Sequence, residues 1–373
     1  MIVILQNLRE IISRFVDNTI PWIASLQKKR TWYYDLFFKI ITAIAGVGIY
    51  AIVIPTVILF YPQTTCVEIV MIMVVGCCFN IIIGNFIKNL FGLPRPHGKG
   101  ISNLAVEKDF GFPSTHTINA IVNTGFIVFV CTESVLFRVL YLLYIVCVSF
   151  SRMYMGVHSP ADVCCGVLIG FLHLFIMVNF YEFLISFLSN PISIPVLIIF
   201  FSVLLVMMPR CKDYNVTPKR TGMICGCVVA IAVAMSFKLT ITTETMPPPK
   251  EYNQYQMKRL GWFVLEYLLA AAACLPLFIL TGFVLPNLFM KFSEKNAHVN
   301  AILRKIEMVC SKYRFHCLRD DVNAYECDKT MLKYTLEVPL SFVAGIIGGV
   351  MVLVIAPKIV LYFNPEMISL PSI

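Results

Sequence analysis

The sequence predicts an all-α, polytopic integral membrane protein with about nine transmembrane helices, within a range of eight to ten. Its 373 residues are 58% hydrophobic and 14% charged, whereas a soluble domain is about 25% charged. The mean hydropathy is +0.80. Runs of about twenty apolar residues recur along the whole chain, and each is long enough to cross the hydrocarbon core of a bilayer.

The first element is an N-terminal interfacial segment, residues 1–35. Its opening stretch, MIVILQNLREIISRFV, carries Arg9 and Arg14 within an apolar run. This pattern is typical of an amphipathic helix lying in the membrane surface rather than of a signal peptide. The transmembrane helices follow, separated by breaks rich in Pro, Gly or charge. We expect spans at 36–60, 67–91, 117–132, 135–150, 160–187, 192–209, 222–243, 261–286 and 337–363.

The net charge of +9 fits either nucleic-acid binding or contact with lipid. Basic residues flank the apolar runs, where they meet headgroups, so we expect membrane lipids and no nucleic acid as partners. The longest polar stretch is a basic loop at 290–335, which leaves no soluble domain of useful size. Cys310, Cys317 and Cys327 share this loop and can form a disulfide if the loop is lumenal.

Residues 151–162, SRMYMGVHSPAD, concentrate polar side chains in an apolar chain. The run SPAD at its end has the pattern of a helix start, with Ser at the N-cap, Pro at the first helical position and an acid in the first turn. His158 therefore precedes the helix, and Asp162 lies within reach of its imidazole. A carboxylate there fixes the tautomer of the ring and leaves the other nitrogen as a nucleophile or base.

Two earlier stretches, KNLFGLPRP and FPSTH, place further polar residues at the ends of spans. Lys88 closes one span and Arg95 follows it, while Arg152 follows another. Ser114 and His116 open the helix at 117–132, and the free backbone N–H groups of such an end favour an anion. Three cations and two helix starts are therefore expected at one membrane face.

Each of these stretches alone has an ordinary explanation. A Lys or Arg at the end of a span is usually an interfacial anchor, SPxD is usually a cap, and a His after Pro-Ser-Thr is often a surface residue. Together they supply Lys, Arg, Ser, His, Arg, His and Asp in order at three successive membrane exits. This set fits a tetrahedral dianion such as phosphate, which needs several donors at once.

The ordered motifs K-x6-RP, PSxH and SR-x5-H-x3-D resemble those of the type 2 phosphatidic acid phosphatase superfamily. FGFPSTHTINA, SRMYMGVHS and the short spacing between Arg95 and His116 are similar to the sphingosine-1-phosphate phosphatase branch, which acts on long-chain-base phosphates. Thr115 departs from the Gly that most of the superfamily carries. The resemblance implies a six-helix phosphatase-type core, residues 36–190, and additional transmembrane helices in 191–373.

The same resemblance implies a role for each motif residue. His158 attacks phosphorus and forms a phosphohistidine, Asp162 orients and stabilises it, and His116 protonates the leaving alkoxide and then activates water. The resemblance implies neither a metal nor another cofactor. The residues expected to bind the substrate phosphate are Lys88, Arg95, Ser114, Thr115 and Arg152.

The expected activity is therefore hydrolysis of sphingosine 1-phosphate or dihydrosphingosine 1-phosphate. Alternatives with the same core are a broader lipid phosphate phosphatase, an isoprenoid diphosphate phosphatase or a glucose-6-phosphatase-like enzyme. The alternative that is not an enzyme is an anion transporter using the basic cluster. The sequence leaves the oligomeric state open.

Two indications disagree about the membrane face that holds these motifs. The basic loops on the same side favour the cytosol by the positive-inside rule. The resemblance implies a lumenal active site in the endoplasmic reticulum, which is the side we expect. Asn215-Val216-Thr217 is an N-glycosylation acceptor on this side and gives a way to test it.

Overall fold

A computed structural model describes residues 2–46, 64–98, 100–105, 107, 109–210, 217–239, 284–315, 317–318 and 329–355, with isolated residues at 272, 276 and 280. Most of the expected span at 261–286 and much of that at 36–60 lie outside these residues, as does Asn215. The described regular structure consists of α-helices and a short π-helical turn, Met351–Ile355. The predicted all-α class is confirmed.

The helices are numbered here in chain order. Their bounds are α1 Ile2–Gln27, α2 Trp32–Ile44, α3 Thr64–Phe91, α4 Thr115–Cys131, α5 Val135–Tyr154, α6 Pro160–Leu188, α7 Ser193–Met207, α8 Thr217–Ser236, α9 Leu285–Lys295, α10 Ala297–Tyr313 and α11 Lys329–Val350.

Five of the described helices are long and apolar enough to cross a membrane. They fall in α3, α5, α6, α8 and α11, while α4 and α7 are shorter apolar helices. These seven coincide with seven of the expected spans, and the count of nine stays a prediction. Leu142, Leu143 and Val146 on α5 are exposed apolar side chains, as expected of a surface that faces lipid. The chain is an integral membrane protein.

The first four of these helices, α3 to α6, pack into a bundle in which α4 contacts α3, α5 and α6. Its interior belongs to one buried apolar cluster that includes Ile72, Ile121 and Phe126. Small residues set the closest approach. A Cβ on Gly166 of α6 would lie 2.8 Å from the carbonyl oxygen of Ser114, so the start of α4 lies directly against α6.

The segment expected to be a basic loop at 290–335 is largely helical, containing most of α9, all of α10 and the start of α11. Asn296 caps α10 by accepting the backbone N–H groups of His298 and Val299. Buried Glu307 accepts hydrogen bonds from Arg314 at 2.6 Å and from the Thr335 hydroxyl at 2.6 Å. These contacts join α10 to α11. They also satisfy the carboxylate of Glu307, whose burial would be unfavourable without hydrogen-bonded partners.

Candidate active site

The three motifs meet at one end of the helix bundle. Lys88 lies in the last turn of α3 and Arg152 in the last turn of α5, while Arg95 lies in the segment that follows α3. The span expected to end at 150 runs on to Tyr154, so Arg152 belongs to the helix and does not follow it. The side chains of Lys88, Arg95 and Arg152 are 1%, 8% and 1% exposed. These long cationic side chains are therefore buried in the protein and do not extend to the headgroups.

Two carboxylates pair with all three of these cations. Asp109 Oδ2 lies 2.6 Å from Lys88 Nζ, and its other oxygen accepts from Arg95 Nη2. Glu107 lies 2.7 Å from Arg152 Nη2 and 3.5 Å from Arg95 Nη2. Burial alone would raise the pKa of Asp109, but Lys88 and Arg95 outweigh it and hold that pKa well below its usual range. We call these five side chains the cradle.

His158 borders the cradle and is fully buried. Arg95 Nη1 donates to the Val157 carbonyl oxygen at 2.8 Å and lies 3.2 Å from His158 Nε2. Burial lowers the pKa of His158 well below its usual range, and the positive charges of Arg95 and Arg152 lower it further. The imidazole is therefore neutral at pH 7.

Asp162 lies on the opposite side of the His158 ring, whose Nδ1 makes no hydrogen bond within the described residues. Its Oδ2 lies 3.4 Å from His158 Nδ1 and accepts the Ser159 backbone N–H at 2.7 Å. The Ser159 hydroxyl accepts the Asp162 backbone N–H in return at 3.3 Å, which completes a capping box at the start of α6. The helix start expected from SPAD is confirmed, and it fixes Asp162 behind the histidine.

The start of α4 is attached to the start of α6. The Ser114 backbone N–H donates to the Asp162 carbonyl oxygen at 3.0 Å, and the Ser114 hydroxyl accepts from Thr117 at 3.0 Å. His116, in the first turn of α4, is close enough to Arg152, Lys88 and Arg95 to interact with them electrostatically. The methyl group of Thr115 lies against Gly84 of α3. The threonine at position 115, where most of the superfamily carries Gly, therefore packs α3 against α4.

Part of the chain also matches a known protein family. Residues 69–186 match the model described as the PAP2 superfamily. The match begins in α3, ends in α6 and contains all of the motif residues named above. Residues 69–186 form a PAP2 superfamily domain.

Curated relatives match longer stretches of the chain. A dihydrosphingosine 1-phosphate phosphatase of Saccharomyces cerevisiae is 30% identical over 184 residues, which cover 46% of this chain and 44% of the yeast protein. A probable sphingosine-1-phosphate phosphatase of Dictyostelium discoideum is 26% identical over 253 residues, which cover 61% of this chain and 60% of that protein. The chain thus spans about half the length of these relatives.

One solved structure also matches the PAP2 domain. It is the transmembrane PAP2-type phosphatidylglycerolphosphate phosphatase of Bacillus subtilis, at 22% identity and a TM-score of 0.40. The match covers 48% of this chain and 96% of that structure.

Sequence reasoning missed Glu107 and Asp109, the acidic part of the cradle in the PAP2 domain. Their signal is the run EKD before FGFPSTH, which reads as an ordinary polar loop.

Sequence reasoning also missed Gln27, at the end of α1. This buried amide donates to the carbonyl oxygens of Ser102 and Tyr154, both at 2.9 Å, and accepts the Ser102 N–H at 2.7 Å. Gln27 thereby attaches α1 to the segment that carries the acids.

Proposed function

We propose that the chain is a membrane lipid-phosphate phosphatase that hydrolyses the phosphomonoester of sphingosine 1-phosphate or dihydrosphingosine 1-phosphate through a phosphohistidine. The proposal rests chiefly on one observation, the buried imidazole of His158 held between Arg95 and Asp162. Anion transport needs the cations alone. A buried histidine backed by a carboxylate is the arrangement that nucleophilic catalysis requires.

In the first step, Lys88, Arg95 and Arg152 bind the phosphoryl oxygens. The N–H of Arg95 that points at His158 gains a charged acceptor, which frees the lone pair on Nε2. Nε2 attacks phosphorus, and the bond from phosphorus to the lipid oxygen breaks. His116, which becomes protonated once the dianion is bound beside it, gives this proton to the departing alkoxide, so the lipid leaves as an alcohol.

In the second step, the phosphohistidine is hydrolysed. His116, now neutral, takes a proton from water, and the water oxygen attacks phosphorus as the bond to Nε2 breaks. Inorganic phosphate is released and both imidazoles return to their starting state. Asp162 stabilises the positive charge that the His158 ring carries while it is bonded to phosphorus. Ser114 at the start of α4 and the backbone N–H groups beside it complete the phosphate site.

The substrate class follows from the membrane setting and the named relatives. The cradle lies at the ends of spanning helices, where a lipid phosphate is presented while its hydrocarbon stays among the spans. The yeast and Dictyostelium relatives are described as phosphatases of sphingoid-base phosphates. Glucose 6-phosphate has no hydrocarbon chain to place among the helices.

We assign the active site to the lumenal side of the endoplasmic reticulum. Cys317 is disulfide-bonded and packs against Phe110, next to the cradle residue Asp109. The N–H of Leu318 donates to the Leu90 carbonyl oxygen at 2.8 Å, close to Lys88. Disulfides persist in oxidising compartments. A disulfide at the catalytic end of the bundle therefore favours the lumen over the cytosol.

The experiment is phosphate release by purified protein in detergent micelles. The panel contains sphingosine 1-phosphate, phosphatidate, an isoprenoid diphosphate and glucose 6-phosphate. We expect sphingosine 1-phosphate to give the highest kcat/KM and His158→Ala to abolish release from all four. The matched control is His298→Ala, at the start of α10. Preferred hydrolysis of glucose 6-phosphate, or no hydrolysis at all, would refute the proposal.

A further inference from the structure

The acids of the cradle raise a question that phosphate binding alone does not answer. A pocket built only for a dianion gains nothing from carboxylates, because they compete for its cations and repel the ligand. Glu107 and Asp109 nevertheless contact all three cations of the site. We infer that these two carboxylates form a subsite for the ammonium group of the substrate. This inference rests on the proposed function and specifies what the same site selects.

The depth of the side chains gives the first argument. Lys88 and Arg152 are 1% exposed, whereas the side chains of Asp109 and Glu107 are 18% and 23% exposed. The side chain of His158 is likewise 1% exposed. The nucleophile and the cations therefore lie deeper than the carboxylates. A phosphate bonded to the histidine places the next few atoms of its substrate at the level of the carboxylates.

The contacts of Arg152 give the second argument. Its Nη2 donates to Glu107, while Nε and Nη1 have no hydrogen-bond partner within the described parts of the chain, although the side chain is buried. Unused donors on a buried guanidinium indicate an anion that binds there. Phosphate can accept from one of these two nitrogens while Glu107 stays on Nη2. Carboxylate and phosphate are then held side by side.

The charges give the third argument. With His116 in the protonated form that acts as the acid, four cations and three carboxylates, counting Asp162, leave one excess positive charge. A phosphomonoester dianion turns this into one excess negative charge in a largely buried pocket, which is unfavourable unless a cation accompanies it. An ammonium group a few bonds from the phosphate restores neutrality. Such a group is present in an amino alcohol phosphate such as a sphingoid-base phosphate and missing from phosphatidate.

The test compares two substrates that differ only in this charge. Sphingosine 1-phosphate carries the ammonium, and N-acetylsphingosine 1-phosphate has the same chain with an uncharged amide. We expect the wild-type protein to favour the ammonium substrate in kcat/KM by about tenfold or more, as for other charge-assisted contacts. In Glu107→Gln and Asp109→Asn this ratio should fall towards one, whatever happens to the absolute rates.

The controls separate recognition of the substrate ammonium group from positioning of the arginine side chains. Glu107→Asp keeps the charge and should retain part of the preference. Glu10→Gln makes the same chemical change on exposed α1 and should keep all of it. An equal loss for both substrates in Glu107→Gln would show that the acid only positions Arg152, and would overturn the inference.

The outcome also distinguishes this inference from the proposed function. If the wild-type protein hydrolyses both substrates equally well, the phosphatase proposal stands and the ammonium subsite is wrong. If it hydrolyses neither, both are wrong.

Discussion

The Nη1 atom of Arg95 lies 3.2 Å from Nε2 of His158. A guanidinium can donate hydrogen bonds but cannot accept them, so Nε2 is the nitrogen with the lone pair. The ring proton of the neutral imidazole must then be on Nδ1, which faces Asp162 at 3.4 Å. This contact therefore assigns the tautomer and points the nucleophilic nitrogen towards the cradle.

The first prediction concerns Arg95, which we propose both binds phosphate and orients His158. Arg95→Lys keeps the charge but cannot reach Val157, His158 and Asp109 together, because a lysine lacks the planar set of donors. We expect kcat to fall by about 10²-fold or more, as for the loss of a single transition-state donor. Kinetics on sphingosine 1-phosphate measure this. A lysine variant with unchanged kcat would contradict the assignment.

The second prediction concerns the contact that joins the starts of α4 and α6. A Cβ on Gly166 would lie 2.8 Å from the Ser114 carbonyl oxygen and 3.2 Å from Thr117 Cβ. Gly166→Ala should therefore destabilise the protein by about 1–3 kcal/mol through overpacking and lower activity as well. Gly348→Ala is the matched control, since no described residue has an atom within 4 Å of its added Cβ. Thermal unfolding in micelles should separate the two variants, and equal midpoints would argue against this packing.

The third prediction concerns the disulfide at the catalytic end. Protein isolated from membranes without reductant should have Cys310 open to a maleimide reagent, because it is a free thiol. Cys317 should react only after reduction, because it is disulfide-bonded. Peptide mass spectrometry reports both cysteines in one sample. A Cys317 that reacts without reduction would remove the support for a lumenal site.

The fourth prediction concerns pH. The pKa of His158 is lowered in the folded protein, whereas an unfolded histidine has a pKa of about 6.5. Below pH 6.5 the unfolded chain therefore binds the extra proton, and stability falls as pH decreases. Above pH 6.5 this group has no effect. The melting temperature should drop between pH 7.5 and 5.5, and it should drop less in His158→Asn. An equal drop in both proteins would contradict a neutral buried His158.

Local sequence signals predicted the helix starts of the site well. SPAD specified a capping box, and the structure has it. Lys88 and Arg152 were recognisable because they belong to an ordered set of motifs with His116, His158 and Asp162. These predictions succeed because helix capping and the length of an apolar run depend only on residues that are neighbours in the sequence.

Contacts between distant segments were not predictable in this way. Gln27 bonds to Tyr154 across 127 residues, and no periodic pattern marks either residue. Glu107 and Asp109 look like solvated loop residues until the chain brings them against three cations. The polar sequence of α9 and α10 predicts a loop, whereas the structure has two helices there. Their capping by Asn296 and the buried pairs of Glu307 become evident only in three dimensions.

The most direct test of the central claim is to look for the phosphohistidine itself. Wild-type protein mixed with radiolabelled sphingosine 1-phosphate and quenched within one turnover should carry a label that acid removes and alkali preserves. Peptide mapping should place it on His158. Folded His158→Ala should neither take up label nor release phosphate, and a His158→Ala protein that still releases phosphate would contradict the account.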